Sequence, residues 1–276
     1  MVAGILEKSI GTVRTAWSLT FLIAAAVMIL LAVYHTKKLP KPSTDIQSNV
    51  SAGSLLKGFI TTFRTYFSKP GIITAVLFIL LYRFPEAQLT KICPLFLIDP
   101  VSKGGLGLST EQIGFAQGTL GVIGLLLGGI LGGAAISAKG LKKCLWPMVL
   151  AISVPDLVYV YLSYFPTGNM FMVSSCIFIE QLGYGFGYTA YTLFLIYFAK
   201  GEQQTSHYAI STGIMALGMM LPGMISGTLQ ELMGYKMFFV WIILCCSITF
   251  IVSAFIKFEP DFGKRVKDLV KEINKI

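Results

Sequence analysis

Seven long apolar stretches dominate this chain of 276 residues. Each has about the 20 residues that a helix needs to cross the hydrocarbon core of a bilayer. Lipid offers no hydrogen bonds to the main chain, so helices are the expected solution in the absence of period-two alternation. The sequence therefore predicts an all-α membrane protein with about seven transmembrane helices. The predicted spans lie near residues 17–34, 71–98, 111–137, 145–165, 168–198, 207–230 and 237–257.

Composition excludes several classes of protein. Charged residues make up 13% of the chain and hydrophobic residues 55%, whereas a soluble domain carries about 25% charge. The net charge of +9 is assigned to loops on the cytoplasmic side and not to nucleic-acid binding. The five cysteines form no CxxC or Cys/His cluster, so no metal, cofactor or disulfide framework is expected. The span ends also lack the Ser/His or His/Asp arrangements of an enzyme.

The distribution of Lys and Arg predicts the orientation. Of the 22 basic residues, 16 fall in one set of loops and in the carboxyl-terminal tail. The positive-inside rule places that set, with the carboxyl terminus, in the cytoplasm, and residues 1–16 outside.

Four segments follow from this pattern. Residues 1–34 are predicted to hold the last helix of an otherwise missing first half, and residues 35–69 a cytoplasmic linker that contains Pro40, Pro42 and several serines. Residues 70–258 are predicted to form a six-helix bundle, and residues 259–276 an amphipathic tail on the membrane surface. This order is typical of the second half of a twelve-helix transporter.

Arg83 and Glu86 lie near the middle of the second span. A charge at that depth costs about 3 kcal/mol unless it faces a polar cavity or a partner. The two side chains are three residues apart, share a helix face, and are joined by Pro85, which interrupts the helix. Tyr82 extends the same polar stripe. We expect Arg83 to meet an anionic substrate group and Glu86 a proton or a substrate group, the alternative being an ion pair that locks two helices.

A second polar face begins at Glu180 and Gln181. Tyr184, Tyr188 and Tyr191 follow Glu180 at helical spacing. A carboxylate beside phenol rings suits sugar or peptide ligands, because rings stack on apolar surfaces and hydroxyl groups form hydrogen bonds. The alternative is a structural hydrogen bond for Glu180 with packing tyrosines.

Asp156 is a third intramembrane carboxylate, directly after Pro155. It is expected either to line the cavity or to pair two helices. The glycines Gly124, Gly128 and Gly132 form a GxxxGxxxG face, which in an apolar span predicts close helix packing and not phosphate binding.

Several of these segments resemble one family. Residues 81–87, Leu-Tyr-Arg-Phe-Pro-Glu-Ala, are similar to the Leu-Tyr-basic-x-x-acidic-Ala pattern in the seventh helix of AmpG-type muropeptide permeases, although Arg83 stands where lysine is expected and Pro85 is inserted. Residues 180–181 with the glycines after them resemble the tenth helix, and residues 205–227 resemble the eleventh. The resemblance covers roughly residues 55–257.

The resemblance implies a major facilitator fold, of which this chain is the carboxyl-terminal half. It also implies proton-driven import of muropeptide-like solutes across the bacterial inner membrane; the wider group includes acetyl-CoA transporters. In that interpretation Arg83, Glu86 and Glu180 bind substrate or protons, and the three tyrosines line the cavity. The chain is then a fragment, or is completed by a partner carrying the first-half bundle. The alternative function is a non-transporting membrane module or the remnant of a split gene.

Overall fold

The computed structural model describes residues 2–39, 52–259 and 261–265, with the main chain alone for 52–56. These residues form helices joined by short turns, and no strand occurs among them, so the predicted all-α class is confirmed. The helices are α1 (Val2–Ile10), α2 (Val13–Lys38), α3 (Ala52–Phe67), α4 (Ile72–Leu81), α5 (Phe84–Ile98), α6 (Thr110–Phe115), α7 (Val122–Lys139), α8 (Leu141–Ser153), α9 (Leu157–Tyr164), α10 (Met170–Ala199) and α11 (Gln204–Ala254).

The helices coincide with the predicted membrane spans. Within the described residues, five helical stretches are long and apolar enough to cross a bilayer, and α10 adds a further helix of 30 residues. The 51 residues of α11 contain a break at Gly234, where φ is 70° and ψ is 165°. Since left-handed φ values favour glycine, this residue separates the two spans predicted at 207–230 and 237–257. The chain is a multi-pass membrane protein.

The predicted linker is partly helical. Helix α2 continues to Lys38, and α3 occupies residues 52–67 of the range assigned to the linker. Because residues 40–51 are rich in proline and serine, the whole range was predicted to be a linker. The signal for α3 is that Phe59, Phe63 and Phe67 recur at helical spacing. Residues 40–51, and residues 266–276 of the predicted amphipathic tail, lie outside the described part of the chain.

Close helix crossings depend on glycine. At Gly128 of α7, a Cβ atom would lie 2.8 Å from the main-chain nitrogen of Phe186 on α10. At Gly183 of α10, it would lie 2.7 Å from Cγ of Pro155, beside α8. The predicted glycine face of α7 is therefore a packing surface against α10, and Gly183 allows a similarly close contact between α10 and Pro155.

The end of the bundle that carries the basic loops is crossed by residues after α11. The main-chain nitrogen of Leu141 donates to the Phe262 carbonyl over 2.9 Å, and the Phe262 ring lies 4.8 Å from that of Tyr197. The described start of the predicted tail is thus packed against the bundle.

Candidate functional site

The first element of the site is a break in the second span. Helix α4 ends at Leu81, and α5 begins at Phe84 with Pro85 in its first turn. The main-chain groups freed by the break are bound by side chains: Tyr191 donates to the Ile79 carbonyl over 2.7 Å, and Thr249 donates to the Tyr82 carbonyl over 2.9 Å. Irregular main chain at membrane depth needs such partners. The break is therefore stabilised by specific hydrogen bonds. It lies next to Glu86, at the middle of the 27-residue span Ile72–Ile98.

Two further irregular segments lie beside the same centre. A π-helical segment, Ala116–Gly121, joins α6 to α7 and contains Gln117. A 3-10 turn, Val154–Asp156, joins α8 to α9 and contains Asp156. Single π-helical turns inside longer helices occur frequently at functional sites, and broken helices are typical of transporter binding sites. Three interrupted spans thus supply side chains to one region.

Three carboxylates meet there. Glu86, Asp156 and Glu180 each offer one carboxylate oxygen, and these oxygens all lie within 4.8 Å of one another. Each of the three residues is at most 3% exposed. We call them the carboxylate cluster. Three negative charges so close together in a buried site repel strongly, so simultaneous ionisation of all three groups is unfavourable.

The hydrogen bonds of the cluster are unevenly shared. Glu180 Oε2 accepts from the Tyr159 hydroxyl over 3.1 Å and from Gln181 Nε2 over 3.0 Å. By contrast, Glu86 Oε2 and Asp156 Oδ1 have no hydrogen-bond partner within the described structure. A buried polar oxygen without a partner is costly. Binding of a proton or a ligand would therefore stabilise these two oxygens most.

A small cavity of about 90 Å³ adjoins the cluster. Polar side chains from several spans line it: Glu86, Thr90, Gln117, Tyr159, Glu180 and Gln181. A site that is polar and has room for water can hold ordered water molecules. The cavity therefore has room for water beside the carboxylates.

Arg83 faces two tyrosines. Its Cζ atom is 4.8 Å from the ring centroid of Tyr188 and 5.3 Å from that of Tyr184, and Nη2 donates to the Tyr184 hydroxyl. These are cation–π distances. Arg83 Nε has no partner within the described residues, and the three side chains are only partly buried. They form a cationic aromatic surface, which we call the Arg83 surface.

The predicted site residues separate into three groups. Glu86, Glu180 and Gln181 line the cavity, and Asp156 joins them through its carboxylate. Arg83, Tyr184 and Tyr188 form the Arg83 surface. Tyr82 and Tyr191 instead belong to the buried core, with their rings stacked 5.3 Å apart.

Two details differ from the sequence analysis. The described residues contain no ion pair between Arg83 and Glu86; the Arg83 side chain instead contacts the tyrosine rings and the Tyr184 hydroxyl. Tyr191 does not line the cavity, because its hydroxyl group binds the main chain of α4.

Sequence reasoning missed Tyr159 and Gln117. Each lies on a different span from Glu180, so no helical spacing in the sequence indicates that it is near Glu180. The one available signal was that polar side chains inside an apolar span need a partner. Three carboxylates offer oxygen atoms that can bind protons or a hard cation.

Relatives of the chain are recognisable by sequence, although no protein-family model matches it. It is 24% identical over 260 residues to an uncharacterized protein of Haemophilus influenzae, covering 90% of this chain and 59% of the relative. It is 22% identical over 236 residues to the anhydromuropeptide permease of Escherichia coli K12, covering 85% of this chain and 45% of the permease. A Rickettsia conorii protein with the provisional name transporter AmpG 4 is 23% identical over 241 residues, covering 86% and 56%.

The chain thus spans about half the length of the curated relatives that it matches. The named relatives are permeases and transporters and not enzymes. The resemblance inferred from the sequence motifs is confirmed: over most of its length this chain is similar in sequence to AmpG-type permeases.

Proposed function

We propose that the chain forms one half of a proton-coupled secondary transporter that imports a muropeptide or a related sugar- and peptide-containing solute across the bacterial inner membrane. One observation carries this proposal: two interrupted spans and the continuous helix α10 bring Glu86, Asp156 and Glu180 together at membrane depth, beside a polar cavity. A purely structural bundle gains nothing from burying three carboxylates, since each adds a desolvation cost. The name of the E. coli relative supports the choice of solute.

In this proposal the carboxylate cluster carries the coupling protons. Two unit charges 4.8 Å apart repel by about 3 kcal/mol at an effective dielectric constant near 20. Protons therefore bind to the cluster as a group, and the departure of one changes the hold on the others. Glu86 and Asp156 are the principal carriers because each has an oxygen without a partner, whereas Glu180 is held by Tyr159 and Gln181.

The Arg83 surface is the proposed contact for the solute. The guanidinium group offers its free Nε to a carboxylate of the solute. The rings of Tyr184 and Tyr188 offer faces for the apolar side of a sugar. Substrate and protons would then bind to adjacent groups on α5 and α10, which is the proximity that coupling requires.

Alternating access requires two bundles that move around a shared site. The six helical spans from residue 72 to residue 254 correspond to one bundle, which we assign to the carboxyl-terminal half. The first-half bundle is the proposed partner. The basic loops and the carboxyl terminus are assigned to the cytoplasm.

Uptake and binding test this function together. Proteoliposomes that contain the purified chain, alone or with a first-half bundle of an AmpG-type relative, receive a labelled anhydromuropeptide and an imposed proton gradient. We expect gradient-dependent uptake that Glu86→Gln abolishes and that the exposed Glu231→Gln leaves within twofold. Equilibrium binding of the same compound to the purified chain is measured in parallel.

The outcomes separate the two functions. Uptake that no longer follows the proton gradient in Glu86→Gln supports the proposal. If uptake by the Glu86→Gln variant still depends on the proton gradient, the proposed role of the cluster in proton coupling is contradicted. A stably inserted chain that shows neither binding nor uptake in either preparation contradicts transport and supports the non-transporting module.

A further inference from the structure

The carboxylate cluster has the ligand set of a site for a hard cation. Glu86, Asp156 and Glu180 lie on three different spans, and one carboxylate oxygen of each lies within 4.8 Å of the other two. Carboxylate and carbonyl oxygens are the ligands that hard divalent cations prefer. The expectation of no metal rested on the absence of Cys and His motifs, and carboxylates from separate spans leave no such motif in the sequence.

The separation of these oxygens fits an ion of the size of calcium. For three atoms no more than 4.8 Å apart there is a point at most about 2.8 Å from each, and Ca–O distances in proteins are about 2.3–2.6 Å. A small movement of the side chains therefore brings all three oxygens to Ca²⁺. Mg²⁺ requires distances of about 2.0–2.1 Å in a regular octahedron and gives up its water reluctantly, so it fits this site less well.

Two buried oxygens of the cluster have no partner. Glu86 Oε2 and Asp156 Oδ1 accept no hydrogen bond within the described residues, and each residue is 3% exposed. Other oxygens of the cluster are held: Asp156 Oδ2 accepts from Cys246 Sγ over 3.7 Å, and Glu180 Oε2 accepts from the Tyr159 hydroxyl over 3.1 Å. Hydrogen bonds of this kind orient ligating carboxylates, and the unpartnered oxygens are left for the ion.

The adjoining cavity supplies neutral ligands and access. Gln117 and Gln181 line it, and their amide oxygens are a ligand type that Ca²⁺ accepts beside carboxylates and water. Its volume of about 90 Å³ has room for a few water molecules, since each takes about 30 Å³ in the liquid. Thr90 lines the same cavity and is exposed, so the cavity reaches the surface of the bundle.

The charge of the cluster selects a divalent ion over a monovalent one. Three ionised carboxylates carry three negative charges, and the Arg83 guanidinium, which interacts electrostatically with Glu86, carries one positive charge. A divalent cation together with Arg83 neutralises the three carboxylates. Na⁺ in the same place leaves a net negative charge in a buried site, which is costly.

We propose that the carboxylate cluster binds a calcium-sized divalent cation, with Glu86, Asp156 and Glu180 as its charged ligands. The bound ion connects α5, α10 and the 3-10 turn Val154–Asp156. Because the same oxygens are the proposed carriers of the coupling protons, a bound cation and those protons exclude one another. The cation site itself does not depend on the proposed transport function.

Calcium binding to the purified full chain tests the site without solute or gradient. The chain, in an uncharged detergent and freed of metal with a chelator, is dialysed to equilibrium against radioactive Ca²⁺. We expect one Ca²⁺ per chain, with Mg²⁺ at least about tenfold weaker as a competitor. Glu86→Gln and Asp156→Asn should each weaken binding by more than about tenfold, since loss of a mere partner of a ligand costs about 10- to 100-fold.

A matched control and circular dichroism keep the result interpretable. The exposed Glu231→Gln removes the same charge outside the cluster and should leave the affinity for Ca²⁺ within twofold. Each variant should keep the helix content of the wild type, because removal of a buried negative charge lowers the repulsion within the cluster.

Terbium luminescence locates the ion. Tb³⁺ is similar in size to Ca²⁺ and emits when a tyrosine close to it is excited. Because the Tyr159 hydroxyl binds Glu180, we expect emission from bound Tb³⁺ that added Ca²⁺ removes and that Tyr159→Phe lowers. Tyr161→Phe, an exposed position on the same helix, should leave the emission unchanged.

Two results would overturn the proposal. One is a folded chain that binds no Ca²⁺, and the other is an affinity that is the same in the wild type, Glu86→Gln and Asp156→Asn. Either result would leave proton-driven uptake in proteoliposomes unaffected. Conversely, Ca²⁺ bound at the cluster of a chain that shows no uptake would support the cation site and contradict transport.

Discussion

At the scale of single residues, the two ends of the carboxylate cluster have different surroundings. Glu180 accepts hydrogen bonds from Tyr159 and Gln181, whereas Glu86 and Asp156 each keep a buried oxygen without a partner. A hydrogen bond to a charged or proton-sharing group stabilises more than one between neutral groups. Tyr159 is therefore expected to fix Glu180 and to leave Glu86 free for exchange.

Removal of the Tyr159 hydroxyl should lower stability. We expect Tyr159→Phe to reduce the free energy of unfolding by about 1–2 kcal/mol, because Glu180 Oε2 loses a buried donor. Unfolding of the purified chain in detergent, followed by circular dichroism, measures the change. The exposed Tyr161→Phe is the control and should change stability by no more than about 0.5 kcal/mol. A double-mutant cycle with Glu180→Gln that gave strictly additive losses would contradict the coupling.

Arg83 should govern the affinity for an anionic solute. Arg83→Gln removes the guanidinium group that faces Tyr184 and Tyr188, so muropeptide binding measured by calorimetry should weaken at least about tenfold, as expected for a charge-assisted hydrogen bond. Lys91→Gln removes an exposed charge from the same span and should leave the affinity within twofold. Equal losses in both variants would show that net charge and not the Arg83 surface decides the affinity.

The sequence was most informative about which residues matter and less informative about their partners. Glu86, Asp156 and Glu180 were all identified as costly intramembrane carboxylates, because a charge in an apolar span is visible without a structure. Their proximity was not visible, since they lie on three spans. Arg83 and Glu86 are neighbours on an ideal helix, but the helix is interrupted at Arg83, and the two side chains form no ion pair among the described residues.

At the scale of helices, both the interruptions in the spans and the glycines at helix crossings are needed to bring the site residues together. The turn at Tyr82–Arg83 and the π-helical segment Ala116–Gly121 adjoin polar residues of the cavity, and the 3-10 turn Val154–Asp156 places Asp156 in the carboxylate cluster. The glycines of α7 and α10 let these spans approach closely enough for the side chains to meet. A change that separates the spans should therefore damage the site without altering any site residue.

Two neighbouring glycines on α7 test this dependence. Gly128→Ala places a methyl group against the main chain of α10, whereas Gly129→Ala places one where no atom lies within 4 Å. We expect Gly128→Ala to cost about 1–3 kcal/mol, as overpacking does, and Gly129→Ala to be neutral or slightly stabilising. Thermal unfolding in detergent measures both. Equal midpoints for the two variants would contradict the packing role of Gly128.

The helical spans themselves could be predicted, because apolar length and membrane thickness constrain them strongly. Their interruptions could be predicted only where proline marks them, at Pro85 and before Asp156. The π-helical segment carries no such mark, and Gln117 was missed for that reason. Helix α3 was hidden by the proline and serine composition of the residues before it.

At the scale of the whole molecule, charge asymmetry predicts the orientation in the membrane. The loops near Lys139, Lys142, Lys143 and Lys200 lie at one end of the bundle, with the segment after α11 packed beside them. Lys103 and Lys236 lie at the other end. The positive-inside rule assigns the first end to the cytoplasm.

Labelling of single cysteines tests this orientation. A membrane-impermeant maleimide added to intact cells should label Lys103→Cys and should label Lys142→Cys only after the cells are lysed. Both positions are exposed, so accessibility to the reagent and not burial decides the result. The reverse pattern would place the carboxyl terminus outside.

The account rests most on the claim that water and solute reach the carboxylate cluster. Accessibility of Thr90→Cys and Gln181→Cys, both at the cavity, to a small methanethiosulfonate reagent tests it directly, in membranes and in a chain whose own Cys93 is replaced by alanine. We predict rapid modification that added anhydromuropeptide slows, while the core control Ala75→Cys reacts slowly and without protection. Modification of both positions at the rate of the core control, unchanged by the solute, would contradict the account.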